Sequence, residues 1–279
     1  MITGKVKNID LISNEKILVF GGVYSNLQAL EAIRKVAIDQ KIQNHQIICT
    51  GDILGYCAQP NECIELIQEW GIESIAGNVE LQIRNDEESC GCNFSEGSRC
   101  DVFSQNWYQY IRDHISLENK EWLNTLPEFL KFNWGTHKAF VLHGGLEDTS
   151  QFVFKSTAWR VKQAILDKVD ADIILAGHCG LPFKSKKDNR YWVNSGVIGM
   201  PANDGTPRVW YMILESKNDQ VEISYKSLDY DYHTAHRLML DNNLPSTYAS
   251  TLISGLWDNM EILNEPEKNL QGLRLSFDQ

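Results

Sequence analysis

Five short apolar runs, each ending in a turn that carries glycine or histidine, constrain this chain more than any other feature. The runs are ILVF (17–20), IICT (47–50), ESIA (73–76), AFVL (139–142) and IILA (173–176). After them come Gly21-Gly22, Gly51-Asp52, Gly77-Asn78, His143-Gly144 and Gly177-His178. Helical spacing fills the intervals. Asn26 is a suitable N-cap for a helix with Leu27, Leu30, Ile33 and Ala37 on one face, and Pro60 suits the start of a second with Ile64, Ile67 and Trp70. Ser156 could cap a third whose Val161, Ile165 and Val169 face inward. Strand and helix in alternation predict an α/β fold with a largely parallel sheet. Such sheets bind ligands at the carboxyl ends of their strands. Asp52, Asn78, His143 and His178 all fall there, and a carboxylate, an amide oxygen and two imidazoles suit a divalent metal of borderline hardness: Mn, Fe or Zn.

At 279 residues with an apolar share of 43%, the chain can bury a sizeable core as one α/β unit, with or without an appendage. Its 26 basic against 37 acidic residues leave a net charge of −11, which disfavours tracking along a nucleic-acid backbone. A small anionic substrate stays compatible, because a bound metal brings its own positive charge. The opening MITGKVKNIDLISNEK lacks the apolar core of a signal peptide, and no run approaches membrane-spanning length. A cytoplasmic location away from membranes is therefore expected, with the seven cysteines as reduced thiols.

Residues 81–130 interrupt the rhythm. They carry the polar stretch NDEESCGCNFSEGSRC and then the helix-type FSQNWYQYIRDHI and EWLNTLPEFL, and are expected to form a helical, cysteine-bearing insertion over the strand ends. Beyond His178, RYWVNSG, PRVWYMILE and QVEISYKSL read as strands. Arg208, Trp210 and Met212 alternate with Val209, Tyr211 and Ile213, which suggests an antiparallel edge or a second sheet. Lys184, Lys186 and Lys187 read as a solvated loop, and residues 232–279 as a helical, then polar, tail. The whole of 1–279 is expected to be one domain.

These turns together resemble the calcineurin-like metallophosphoesterases, in particular the small bacterial and archaeal phosphodiesterase branch, over roughly residues 16–230. GDILGY matches that family's Gly-Asp turn, GNVE stands for Gly-Asn-His-Asp/Glu, VLHGG matches the single-His turn and GHCG the Gly-His-x-His turn. The resemblance implies a sandwich of two mixed β-sheets flanked by helices, with two metals sharing the aspartate that corresponds to Asp52. The departures are systematic. Gly22 and Tyr24 stand where the family has its first Asp and His, Gly180 replaces the second His of the last turn, and Val79 replaces the His that acts as general acid. One implied metal thus keeps only Asp52, while the other keeps Asp52, Asn78, His143 and His178. Random decay would hardly spare one complete set. The chain also resembles, over nearly its full length, a bacterial subgroup with a similar GGxYSN opening, Cys-Gly-Cys insertion, GHCG and GMPANDGTPRVWY strand.

Each candidate has a bland counterpart. Asp52 and Asn78 could be turn residues, and Tyr24 a ligand, a substrate contact or a packed aromatic. Glu80 could orient a histidine or simply place an acid at a helix N-terminus. Cys57 and Cys179 lie close in sequence to Asp52 and His178, so a thiolate could refill the emptied position. Unconnected free thiols are the favoured alternative, and Cys90, Cys92 and Cys100 in C-x-C-x7-C match no standard zinc pattern. G-x-S-x-G, G-x-x-x-x-G-K and a G-x-G-x-x-G after the first strand are all absent.

Three functional readings follow. The first is a phosphoester hydrolase with one divalent transition metal per chain, acting on a small phosphorylated substrate or nucleotide, with Asp52, His143 and His178 as its catalytic centre. The second is a metal- or nucleotide-binding regulatory module, and the third a thiolate-metal or redox protein on the same fold.

Overall fold

Why the apolar runs carry no polar alternation is explained by where they lie. The computed structural model describes residues 3–10, 16–92, 97–217 and 220–277. Strand β1 (Val6–Asn8) precedes β2 (Ile17–Phe20), helix α1 (Leu27–Asp39), β3 (Ile47–Cys49), helix α2 (Pro60–Trp70), β4 (Glu73–Ser74) and helix α3 (Asn78–Arg84). Helices α4 (Arg99–His114) and α5 (Leu117–Leu123) then lead into β5 (Phe129–Trp134), β6 (His137–Val141), α6 (Trp159–Val169) and β7 (Ile173–Ala176). Four strands follow, β8 (Pro182–Lys187), β9 (Arg190–Ser195), β10 (Val209–Lys217) and β11 (Gln220–Leu228). The chain closes with α7 (Tyr232–Asp241), α8 (Ser246–Ser254) and α9 (Glu265–Lys268).

The strands form two mixed sheets, ordered β1-β5-β6-β7-β9-β8 and β11-β10-β2-β3-β4. Between them lies one apolar layer, built from Ile17, Val19, Ile48, Val141, Leu175 and Met212 among others. Leu18, Phe20 and Cys49 point the other way, under helices α1 and α2, while Phe140, Ile174 and Trp192 pack against Leu166 and Val169 of α6. Central strands are therefore buried on both faces, the condition under which strands read as continuous apolar runs. Strand β10 lies antiparallel to β2 and to β11, and its Val209, Tyr211 and Ile213 face the helices while Trp210 and Met212 face the other sheet.

Local chemistry sets the helix ends. Asn26 Oδ1 accepts from Ala29 N at 3.2 Å at the head of α1, and Pro60 opens α2. The third helix departs from expectation. Its N-cap is Ala158, because Ser156 is engaged elsewhere: its hydroxyl donates to Glu267 Oε2 at 2.6 Å. With that shift Lys162, Leu166 and Val169 face inward, while Val161 and Ile165 are half-buried. Lys162, 1% exposed, reaches the Lys155 carbonyl and the Ser185 hydroxyl, each at 3.0 Å. The lysine-rich segment is no loop but edge strand β8, and lysine is a common device for blunting an edge. EWLNTLPEFL is helical only as far as Leu123, since Pro127 breaks it and Phe129–Leu130 begin β5. The expected 81–130 insertion thus begins inside α3 and ends inside β5. Among the described residues, no helix is long and apolar enough to cross a membrane.

Candidate metal centre

Four of the strand ends converge. Gly51 and Asp52 leave β3 with φ of +93° and +56°, a left-handed pair that turns the carboxylate back over the strand ends. A side chain on Gly51 would stand 2.6 Å from Gly77 N and 2.9 Å from His143 Nδ1, so glycine is what lets these turns meet. Asn78 opens α3, His143 follows β6, and His178, also left-handed at φ +63°, follows β7. Two non-glycine residues held in this sparse region within one site are the kind of local strain that functional sites concentrate.

His143 Nε2 is the hub. It lies 3.2 Å from Asp52 Oδ2, 3.1 Å from Asn78 Oδ1 and 3.2 Å from His178 Nδ1. The ring's other nitrogen lies 2.7 Å from the Thr50 carbonyl, which can only accept, so Nδ1 carries a proton and Nε2 faces the cluster. Asn78 is oriented as firmly: its Nδ2 donates to the Cys90 carbonyl at 2.9 Å and faces Cys92 Sγ at 3.4 Å, leaving Oδ1 toward the hub. Three oxygen or nitrogen acceptors thus surround a fourth with no protein cation among them. Ligand atoms bonded to one ion at about 2.1 Å stand roughly 3.0–3.4 Å apart, so the spacings around the hub fit a divalent metal. The ligand-capable atoms of Asp52, His143 and His178 all lie within 4.8 Å of one another.

Electrostatics follow from burial. His178 is pushed down to about 3 by desolvation and then by His143, so its ring is neutral and free to coordinate. Burial also opposes charge on His143, but the Asp52 carboxylate beside it outweighs that and raises its pKa; a cation is wanted at the hub, whether proton or metal. Glu80 proves to be the acid at the helix N-terminus and not a partner of a histidine. Its Oε2 accepts from Asp52 N (2.9 Å) and Gly77 N (2.8 Å), and Oε1 from Leu54 N (2.9 Å). One fully buried carboxylate therefore ties two ligand-bearing turns together. Burial and then the neighbouring Asp52 charge push Glu80 up to about 7, against the hydrogen bonds from Leu54 and Gly77.

The opposite side of the cleft is apolar. A side chain on Gly22, whose φ is +46°, would stand 2.4 Å from Val197 Cγ1 and 2.8 Å from the Tyr24 ring. Tyr24 is a packed aromatic: it meets Tyr56 edge-on at 4.7 Å, and burial followed by repulsion from Tyr56 and Asp52 keeps its phenol protonated. The Trp257 ring sits 3.3 Å from where a Cβ at Gly180 would be. Cys57 Sγ faces Met239 Sδ at 3.7 Å, and Cys179 Sγ takes the Asn194 amide at 3.2 Å, its thiol pushed up to about 12 by burial. Neither thiol joins the cluster. Of the insertion cysteines, Cys90 and Cys92 are paired as a disulfide, contrary to the expectation of free thiols, because the turn about Gly91 brings their side chains together; the side chain of Cys100 lies outside the described residues.

Sequence reasoning missed the cavity beside the ligands. Its walls include Tyr24, Tyr56, Trp107, Phe152, Tyr248 and Trp257, drawn from five separated stretches of chain with no shared motif.

A family model described as the calcineurin-like phosphoesterase superfamily domain matches residues 16–219. An uncharacterized protein of Methanocaldococcus jannaschii is 26% identical over 261 residues, covering 86% of this chain and 98% of its own length. A crystal structure of a metallophosphoesterase from Sphaerobacter thermophilus superposes with a TM-score of 0.67 at 22% identity, over 88% of this chain and all of that one. A hypothetical protein from Pyrococcus horikoshii superposes at 0.73 with 18% identity, over 87% and 99%. Both share the two-sheet fold.

Proposed function

Because the chain belongs to the calcineurin-like phosphoesterase superfamily, a family of metal-dependent hydrolases, we propose that it hydrolyses a small phosphorylated substrate with one divalent transition metal held by Asp52, Asn78, His143 and His178. One observation carries this reading: the four acceptors gathered at His143 Nε2, at 3.1–3.2 Å, without a protein cation among them. When bound, such an ion supplies Lewis-acid polarisation of a phosphoryl oxygen and acidification of an attacking water.

The chain's own residues do the rest. Glu80 and Thr50 fix the ligands before any ion arrives, through the Asp52 and Gly77 amides and the His143 Nδ1 proton. Val79, at the position where the family carries its proton donor, offers a departing alkoxide nothing. General-acid assistance typically contributes about 10²–10⁴-fold, so that deficit falls on poor leaving groups. Turnover of a nitrophenyl phosphodiester with Mn, and a deficit of this order on an alkyl phosphodiester, is the expected result of a steady-state comparison. Elemental analysis should return about one equivalent of metal per chain. No turnover on any phosphoester with any divalent metal, alongside retained nucleotide binding, would replace this reading with the binding module.

A further inference from the structure

Cys90-Gly91-Cys92 is a motif that the hydrolase reading leaves unused, and it sits against the metal ligands. The turn follows α3, and Gly91 supplies a left-handed residue at φ +66° that lets the two side chains pair as a disulfide. The turn grips two of the ligand-bearing segments. Its Cys90 carbonyl accepts from Asn78 Nδ2 at 2.9 Å, and Cys92 Sγ lies 3.4 Å from the same nitrogen. Its Gly91 carbonyl accepts from the hydroxyl of Ser150, on the loop that follows His143. Asn78 Oδ1 can face His143 Nε2 at 3.1 Å because the turn holds the other end of its amide.

A bridge across one residue closes a very short loop, so it constrains the unfolded chain less than a long-range bridge would, and its consequence is local. Access separates this pair from the free thiols. Cys92 lines the cavity beside Asp52, Asn78 and His178, which opens partly to solvent, and keeps 7% of its surface exposed, where Cys49, Cys63 and Cys179 keep none. We propose that Cys90-Gly91-Cys92 is a reversible dithiol–disulfide site: closed, it holds Asn78 for the metal, and opened, it releases that amide and weakens the centre. The proposal rests on the metal reading for this consequence and not for the exchange itself. A dithiol is the reductant. One of its thiolates attacks Cys92 Sγ from the cavity, the bond to Cys90 breaks, and Cys90 Sγ leaves with the electron pair and takes a proton. The second thiolate displaces Cys92 Sγ, so the dithiol departs as a disulfide and two electrons and two protons stay with the chain.

Calorimetry with Mn alone tests the coupling on the whole chain. One sample is treated with oxidised glutathione, and mass spectrometry should show that the peptide carrying Cys90 and Cys92 resists alkylation until it is reduced. A second is reduced with dithiothreitol and freed of it under argon. The oxidised form should bind Mn about tenfold tighter, the low end of what partners that orient metal ligands contribute, and re-oxidation should restore that affinity. Cys90→Ser/Cys92→Ser, with native circular dichroism, should bind as the reduced chain does under either treatment. Equal Mn affinity in the two wild-type forms, tighter binding by the reduced one, or free alkylation of both cysteines in the oxidised sample overturns the proposal and leaves the hydrolase reading standing. If neither form binds Mn, the metal reading fails, and the redox site is judged on the metal-free chain by heteronuclear NMR. A shift of the Asn78 side-chain amide on reduction, absent from the double serine variant, supports it, and an unmoved amide overturns it too.

Discussion

Two halves of one cleft floor have gone opposite ways. On one side Asp52, Asn78, His143 and His178 present acceptors that Glu80, Thr50 and Cys90 hold by hydrogen bonds. On the other, Gly22 and Gly180 have given their space to Val197, Tyr24 and Trp257. The first half gathers acceptors, and in the second a Cβ at Gly22 or Gly180 would meet Val197, Tyr24 or Trp257. The difference is one of lining: acceptors gather on one half, and apolar side chains abut the glycines of the other.

The sharpest way to break that contrast is Asp52→Ala. It removes the carboxylate at the hub and should abolish stoichiometric metal binding and lower hydrolysis by more than about 10²-fold, beyond what loss of a supporting residue costs. Wild-type-like metal content by elemental analysis would place the ion elsewhere. Next comes Glu80→Gln, which leaves an amide where three backbone donors converge. Metal affinity should fall by roughly 10–100-fold, as for other partners that orient ligands, while nucleotide-free secondary structure by circular dichroism persists. Equal affinity in a metal titration would detach Glu80 from the site.

Gly22→Asp tests the other half. Restoring the carboxylate should not recruit a second ion, because its Cβ needs space held by Val197 and Tyr24. Overpacking of this kind typically costs about 1–3 kcal/mol, visible as a lower Tm with metal content still near one equivalent. Two equivalents would show the apolar half to be yielding. A last test calibrates buried charge outside the cleft. Desolvation lowers the Lys162 ammonium from 10.5 to about 8 in the folded chain. Between those values the unfolded chain binds more protons, so wild-type stability gains with rising pH relative to Lys162→Met. At 1.36 kcal/mol per unit the gain is at most about 3 kcal/mol. Parallel pH profiles for the two chains would mean that the ammonium stays solvated.

The polar half was legible in sequence because each candidate stands in the turn that ends an apolar run, and a strand end is a local signal. Asn78, His143 and His178 could be placed from their neighbours alone. Glu80 was ambiguous since its three donors come from Asp52, Leu54 and Gly77, two of them more than twenty positions away. The apolar wall was illegible for the same reason in stronger form. Trp107 and Trp257 read as ordinary helix and tail residues until the fold sets them around Tyr24. Ser156 misled because a hydroxyl before a helix is a cap by propensity, and a distant Glu267 claimed it. Lys162 took the inward place expected of Val161 because a long side chain can bury its stem and still satisfy its ammonium on carbonyl and hydroxyl oxygens.

Strand β2 pairs with β3 on one side and with β10 on the other, where Val19 meets Met212 some 190 positions later. On a ribosome adding about 5–20 residues per second, β2 would wait roughly 10–40 s for that partner. During the wait an apolar edge with unpaired backbone groups is presented to the surrounding cell, which is the surface that chaperones hold and that aggregation exploits. The last-made hairpin is thus what seals the outer edge of β2.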